Sequence, residues 1–386
     1  MNWFGFGFNG FGQIVPRRKG EKDEDTPKVL NPVALGSLCS SCEGKTRFSS
    51  KKKTETSEHK IKVVASWSQR AAVYTDGDPH VCMSGFISDP DEEHRGLAPE
   101  SKGCVDALIS EHYLTLSFAD RVECWSLKPT GNALVWSGEN GVQDTSDTGP
   151  TVTLPLVPGG YIASKPPCYR PLSPELRAVS LALGSEHAVL LTSSGTVYSW
   201  GSGSHGQLGH GSLVSEDEPR VLEALWGVPM KYVAAGGWHS ACISAGGDLY
   251  VWGWNESGQI GLPSKGLKDQ SQRAPSTEKG ELEVNKREDN VFISIQAFPA
   301  LVDVPEMSEI SKVSCGSRHT ASITSSGNLY TWGWGHYGQL GHGSKCSSDE
   351  PKVVEYFSNA GMIVEDVVCG LWNTFVCATP REHSPL

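Results

Sequence analysis

The chain has 386 residues, enough for one large all-β domain or two ordinary ones, and its 43 glycines and 12 tryptophans suggest many tight turns between short strands. Its net charge of −11 argues against direct nucleic-acid binding, because neutralising a phosphate backbone needs a basic face. No apolar run reaches the ~18 residues of a membrane span, and the first residues lack the charged and apolar regions of a secretory signal, so the expected compartments are nucleus and cytoplasm.

In chain order, Phe6-Gly7-Phe8-Asn9-Gly10-Phe11-Gly12-Gln13-Ile14 reads as half of a unit that becomes clear only downstream. Residues 16–60 follow as a polar linker or loop. It holds Cys39 and Cys42, but zinc needs four ligands and no second pair lies at metal spacing, so no metal is expected. It also holds Lys51-Lys52-Lys53, either a phosphate-touching or nuclear-targeting patch or an ordinary solvated run. Val64-Ala65-Ser66 and Asp76-Gly77 mark an eroded unit, with Arg70 in place of a histidine and Met83 or Ser84 in place of a tryptophan. Ser110-Glu111-His112 and Trp125 mark another weak copy.

Residues 138–178 read as a proline-rich connection. Proline pre-orders an extended chain and tyrosine is an amphipathic anchor, so Tyr161, Ile162, Lys165, Tyr169 and Arg170 are the candidate partner-binding residues. The plainer alternative is a spacer between two parts of the fold.

Three clear units come next. Gly184-Ser185-Glu186-His187 leads to Val197-Tyr198-Ser199-Trp200-Gly201 and then to Gly206-Gln207-Leu208-Gly209. The second unit has Gly236, His239, Trp252-Gly253 and Gly258-Gln259-Ile260-Gly261; the third has Gly316, His319, Trp332-Gly333 and Gly338-Gln339-Leu340-Gly341. Glycine-to-glycine and tryptophan-to-tryptophan spacings agree, at 52 residues and then 80, so an insertion of 28 residues follows the second unit's core strands. The polar stretch 264–290, with six basic and six acidic residues, supplies it and reads as disordered. Self-similarity at this period marks a propeller or solenoid. In the third unit, 312–315, 319–324 and 329–334 read as strands, with 352–357 a possible fourth.

Asp366 to Asn373 starts another unit that stops near Ala378, and the Phe6–Ile14 stretch supplies its missing half in register with Trp332–Leu340. The expected fold is therefore an all-β propeller of six or seven four-stranded blades, a single domain over 1–386, with one blade built from both ends of the chain. A seventh unit would have to lie in 130–180.

Gly-x-x-His, Tyr-x-Trp-Gly and Gly-Gln-Leu-Gly in this order resemble the repeat of the regulator-of-chromosome-condensation superfamily, most specifically over 180–262, 311–355 and the two ends. The resemblance implies a non-catalytic interaction scaffold without a cofactor. Its small members imply a nuclear protein, present also in the cytoplasm, whose partner is a Jumonji-type oxygenase (a lysine demethylase or arginine hydroxylase), reaching chromatin indirectly and affecting histone methylation and chromosome segregation. The superfamily's founder implies an alternative, guanine-nucleotide exchange on a small GTPase. A counterpart of the founder's basic N-terminal arm is not expected, since the sequence as read opens on strand residues.

The repeated His187, His239 and His319 suggest packing rather than catalysis, each ring bonding a backbone group of its own blade. His210 and His342 lie on loops of different units with no companion ligand. The Gly-Gln-Leu-Gly turns lack the Lys-Ser/Thr and following helix of a phosphate loop. No convergent acid–base set appears, so no enzyme activity is expected.

Overall fold

The third clear unit folds nearly as its pattern predicts. Ile310–Cys315, His319–Thr324, Leu329–Gly333 and Ser348–Val353 pair in that order as one antiparallel sheet. Its fourth strand lies upstream of the expected 352–357: Glu355–Asn359 is a short helix that buries Phe357. The second strand, His-Thr-Ala-Ser-Ile-Thr, is buried at every position. A sheet packed on both faces by other sheets needs residues that fit both interfaces, hence the small side chains.

The computed structural model describes residues 1–15, 28–36, 61–86, 95–127, 132–140, 153–273, 291–305 and 308–381. Their strands make seven sheets, the blades of an all-β propeller. Blade 1 is the closing blade: Met362–Cys369 and Asn373–Pro380 pair with Asn2–Phe8 and Lys28–Ala34, with Asn2 opposite Ala378 and Gly5 opposite Phe375. Blade 2 spans 61–97, blade 3 spans 106–139, and blade 4 spans 156–171. Blade 5 (178–221), blade 6 (230–301) and blade 7 (310–353) are the three clear units. First strands of successive blades touch and line the central axis, as Ala178–Leu183 does with Met230–Ala235.

Several expectations change. The 16–60 linker contains Lys28–Ala34, the outer strand of the closing blade. Cys39, Cys42 and Lys51–Lys53 lie outside the described residues. Lys265–Arg273 in the 264–290 insertion is a helix, and 274–290 lies outside the described residues. The proline-rich stretch 138–178 is more than a connection, since Leu156–Val157, Gly160–Ile162 and Tyr169–Pro171 form blade 4, the seventh unit.

Blade 4 has three strands among the described residues, and hydrogen bonds identify them. In blades 5, 6 and 7 an N–H just after the fourth strand binds the carbonyl at the start of the third: Leu222 to Val197, Val302 to Leu249, Val354 to Leu329. Leu172 binds Gly159 in the same way. Tyr169–Pro171 is thus the fourth strand, and the innermost position is the one without a described strand.

Candidate functional site

The repeated motif residues build the junctions between blades. His187 Nε2 lies 2.8 Å from Ser240 Oγ of the next blade, His239 Nε2 lies 2.9 Å from Thr320 Oγ1, and His319 Nε2 lies 3.0 Å from Thr374 Oγ1. Each hydroxyl donates onward to a main-chain carbonyl, of Gln207 (2.8 Å), Gln259 (2.7 Å) or Gln339 (2.8 Å). The hydroxyl's one proton goes to that carbonyl, so the histidine donates from Nε2. Burial holds the three imidazoles well below the usual range, at about 4 for His187 and about 3 for His239 and His319. The expectation of bonds within one blade is corrected: these side chains tie each blade to the next. The motif's glycine follows from the same packing, because a Cβ on Gly184, Gly236 or Gly316 would overlap the histidine ring.

The Gly-Gln-Leu-Gly stretch is a latch loop. The buried glutamine side chain accepts the N–H two residues earlier: His205 to Gln207 at 2.9 Å, Ser257 to Gln259 at 2.9 Å, Tyr337 to Gln339 at 3.0 Å, Phe11 to Gln13 at 3.0 Å. This turns the chain and drives the loop into the gap before the next blade, where Trp252 Nε1 reaches the Gln207 carbonyl at 2.9 Å. Trp252 and Trp332 are 0% exposed and Trp200 is 8% exposed.

At three of these four loops the residue fixed by the glutamine is displayed on one face, where it meets aromatic side chains of the following blade, while Ser257 at the fourth is buried. His205 contacts Trp254 (5.4 Å between ring centres) and Trp238, which contact each other. Tyr337 contacts Phe8 (5.0 Å) and Trp372, with Trp334 packed on both Tyr337 and Trp372 at 4.9 Å. Phe11 contacts Trp67 (5.4 Å), Phe86 (5.7 Å) and Phe8. The Arg318 guanidinium sits 4.5 Å over Trp254. The result is an aromatic arc over blades 5, 6, 7, 1 and 2, with Trp67 41% and Phe86 53% exposed. Sequence reading missed it. Its signal was Trp238, Arg318 and Trp372 just before the second strands of blades 6, 7 and 1, and Trp254, Trp334, Phe8 and Phe86 just after the third-strand glycines of blades 6, 7, 1 and 2.

The predicted partner residues separate into two groups. Tyr161 and Ile162 are core: Tyr161 Oη accepts a 3.3 Å bond from Trp200 Nε1, and Ile162 packs with Val122 and Val157. Burial takes both off the exposed surface, with Tyr161 still lining the floor of the cleft between blades 4 and 5. Tyr169 is half-buried, stacked on Trp136 at 5.4 Å. Lys165 and Arg170 are exposed and line a cleft of about 460 Å³ between blades 4 and 5, with Glu186, Ser202, Glu216 and Asp217. Around the axis on the arc's face, a funnel of about 440 Å³ is lined from all seven blades, including Trp67, Glu111, Lys165 and Leu371.

Two weak copies are also corrected in register. His112 is exposed, and Tyr113, the next residue, holds the histidine's strand position opposite Ser126. In blade 2 that position is Gln69, opposite Gly85, while buried Arg70 pairs with Ser84 at the tryptophan position. His210 and His342 bind Ser199 and Thr331 of their own blades, each at 3.0 Å. Among the described residues no group of three or more His, Cys, Asp or Glu side chains could hold a metal, and no helix is long and apolar enough to cross a membrane.

Comparison with known proteins matches the regulator of chromosome condensation (RCC1) repeat at residues 194–243, 246–323 and 326–377. Among solved structures, Prp20p from Saccharomyces cerevisiae has a TM-score of 0.67 at 16% identity, covering 99% of this chain and 92% of that one. RCC1 domain-containing protein 1 from Mus musculus is 42% identical over 99% of this chain and 98% of its own length. The Homo sapiens protein of that name is 41% identical over 99% and 98%. With a relative this similar along nearly all of both chains, and with junctions built from the repeat's own residues, the chain belongs to the RCC1 repeat family.

Proposed function

We propose that this chain is a non-catalytic docking scaffold that works in the nucleus, and also in the cytoplasm, by holding a Jumonji-type oxygenase, a lysine demethylase or arginine hydroxylase. Through that partner it acts on histone methylation and chromosome segregation, and meets chromatin indirectly. The supporting observation is the aromatic arc. Half-exposed Trp, Tyr and Phe with an Arg among them is the composition of interface hot spots, because such rings bury much area at little entropy cost. The net charge of −11 favours a protein partner over nucleic acid.

The test is co-precipitation with the oxygenase, comparing wild type with the double variant Trp67→Ser, Phe86→Ser. These two side chains are the most exposed rings of the arc, so the variant should melt like wild type and lose the partner. Retained capture would move the interface off the arc. The rival reading, nucleotide exchange on a small GTPase, is tested by release of a fluorescent guanine nucleotide. Acceleration by the purified chain would replace the scaffold reading.

A further inference from the structure

The latch loops occupy a fixed seat on the following blade, and the seat on blade 5 carries none. At three successive junctions a latch glycine with positive φ packs on the same position of the next fourth strand: Gly206 (φ +73°) on Ala297, Gly258 (φ +78°) on Asp349, Gly338 (φ +85°) on Leu30. These positions are equivalent by register. Each follows the residue paired with the third strand's final glycine, as Gly253 pairs with Gln296, Gly333 with Ser348 and Gly7 with Val29. Main-chain bonds hold the loop there, Gly211 N–H to the Ala297 carbonyl at 2.9 Å and Gly343 N–H to the Leu30 carbonyl at 3.1 Å. In blade 6's loop Pro263 follows the latch, and Ser264 N–H binds Asp349 Oδ2 at 2.8 Å instead.

On blade 5 Gly201 pairs with Glu216, so the seat is Asp217. The loop that should cover it, between the third and fourth strands of blade 4, is only 163–168, Ala-Ser-Lys-Pro-Pro-Cys. It has no Gly-Gln pair, and Tyr161 takes over its inner contact by meeting Trp200. The outer part of the junction is the cleft of about 460 Å³ in which Glu216 and Asp217 are exposed or half-exposed. Its charges divide: Lys165 and Arg170 on the blade 4 wall, Glu186 and Asp217 on the blade 5 wall, with Glu216 tied to Arg220.

We propose that this cleft receives a glycine-containing tight turn of a partner polypeptide, seated on Asp217 and flanked by an acidic side chain toward Lys165 and Arg170. The chain's own loops define the shape that fits, and the walls define the charge. The inference rests on the docking reading and names a second site for it, away from the arc.

The probe is a backbone-cyclised peptide with the sequence of residues 255–264, Asn-Glu-Ser-Gly-Gln-Ile-Gly-Leu-Pro-Ser, whose native seat is also an aspartate. It is titrated into the full chain while NMR follows Trp200 Nε1–H and the Asp217 and Ser202 amides. Saturable shifts at these three are expected, abolished when the peptide carries Gly258→Val and weakened several-fold in the chain variant Lys165→Glu, Arg170→Glu. A chain whose 164–167 segment is replaced by its own 202–215 loop should melt no lower than wild type and ignore the peptide. No saturable shift, or equal response to the Gly258→Val peptide, overturns the proposal. Because the probe comes from this chain, that failure is distinct from failure to capture the oxygenase.

Discussion

The buried histidines show how one side chain sets both geometry and pH response. His319 donates to Thr374, which donates to Gln339, so one ring joins a strand of blade 7, a strand of blade 1 and the latch between them. His319→Ala would leave a cavity and an unmet hydroxyl, and should cost about 2–4 kcal/mol in urea unfolding. The pH dependence follows from burial. The folded values near 3 to 4 lie below the ordinary 6.5, so as pH falls through 6.5 the unfolded chain gains protons that the folded chain refuses. Stability from these rings is fully present above about pH 7 and declines toward pH 4, by up to ~1.4 kcal/mol per pH unit for each ring. The cost of His319→Gln should therefore be largest at pH 7.5 and shrink at pH 5. A cost independent of pH would mean that the ring is not held neutral. Trp252→Ala and Trp332→Ala should each cost about 3–5 kcal/mol, with Trp200→Ala below them because its ring is not fully buried as theirs are.

At the scale of elements, blades 5 to 7 were legible because the residues that repeat in sequence are those that touch across junctions. Gly184, His187, Trp200 and Gln207 recur because each has one partner position on a neighbouring blade or loop. Blade 4 was illegible for the same reason: Ile162 holds the tryptophan position, Tyr161 replaces the latch, and no Gly-x-x-His signals a second strand. Lys28–Ala34 was hidden because its partner, Asn2–Phe8, lies across a polar stretch and most of its own residues are partly exposed. The candidate site was half legible. Composition drew attention to 161–170, but only the packing separates Tyr161 and Ile162, which hold the core, from Lys165 and Arg170, which face the cleft. Removing residues 1–14 deletes the third strand of blade 1 along with Phe4 and Phe6, which pack against Phe357 and Val376. The variant should lose cooperative melting altogether rather than fray locally. A truncated chain that melts at the wild-type temperature would refute the clasp.

At the scale of the whole molecule, the clasp has a consequence for biosynthesis. The strand Asn2–Phe8 is made first, yet the strand it pairs with on the inner side, Asn373–Pro380, is made last. While some 370 residues are being translated, at roughly 5–20 residues per second, Trp3, Phe4 and Phe6 have no inner neighbour to cover them. Blades 5 to 7 take their strands from consecutive sequence and can form as they emerge; the ring itself cannot close before Asn373–Pro380 has emerged. The strand Asn2–Phe8 is thus an uncovered aromatic strand for tens of seconds, the kind of segment that holding chaperones shelter. Ribosome-bound chains stalled before residue 362 should carry such a chaperone on their first residues, and chains released at full length should not.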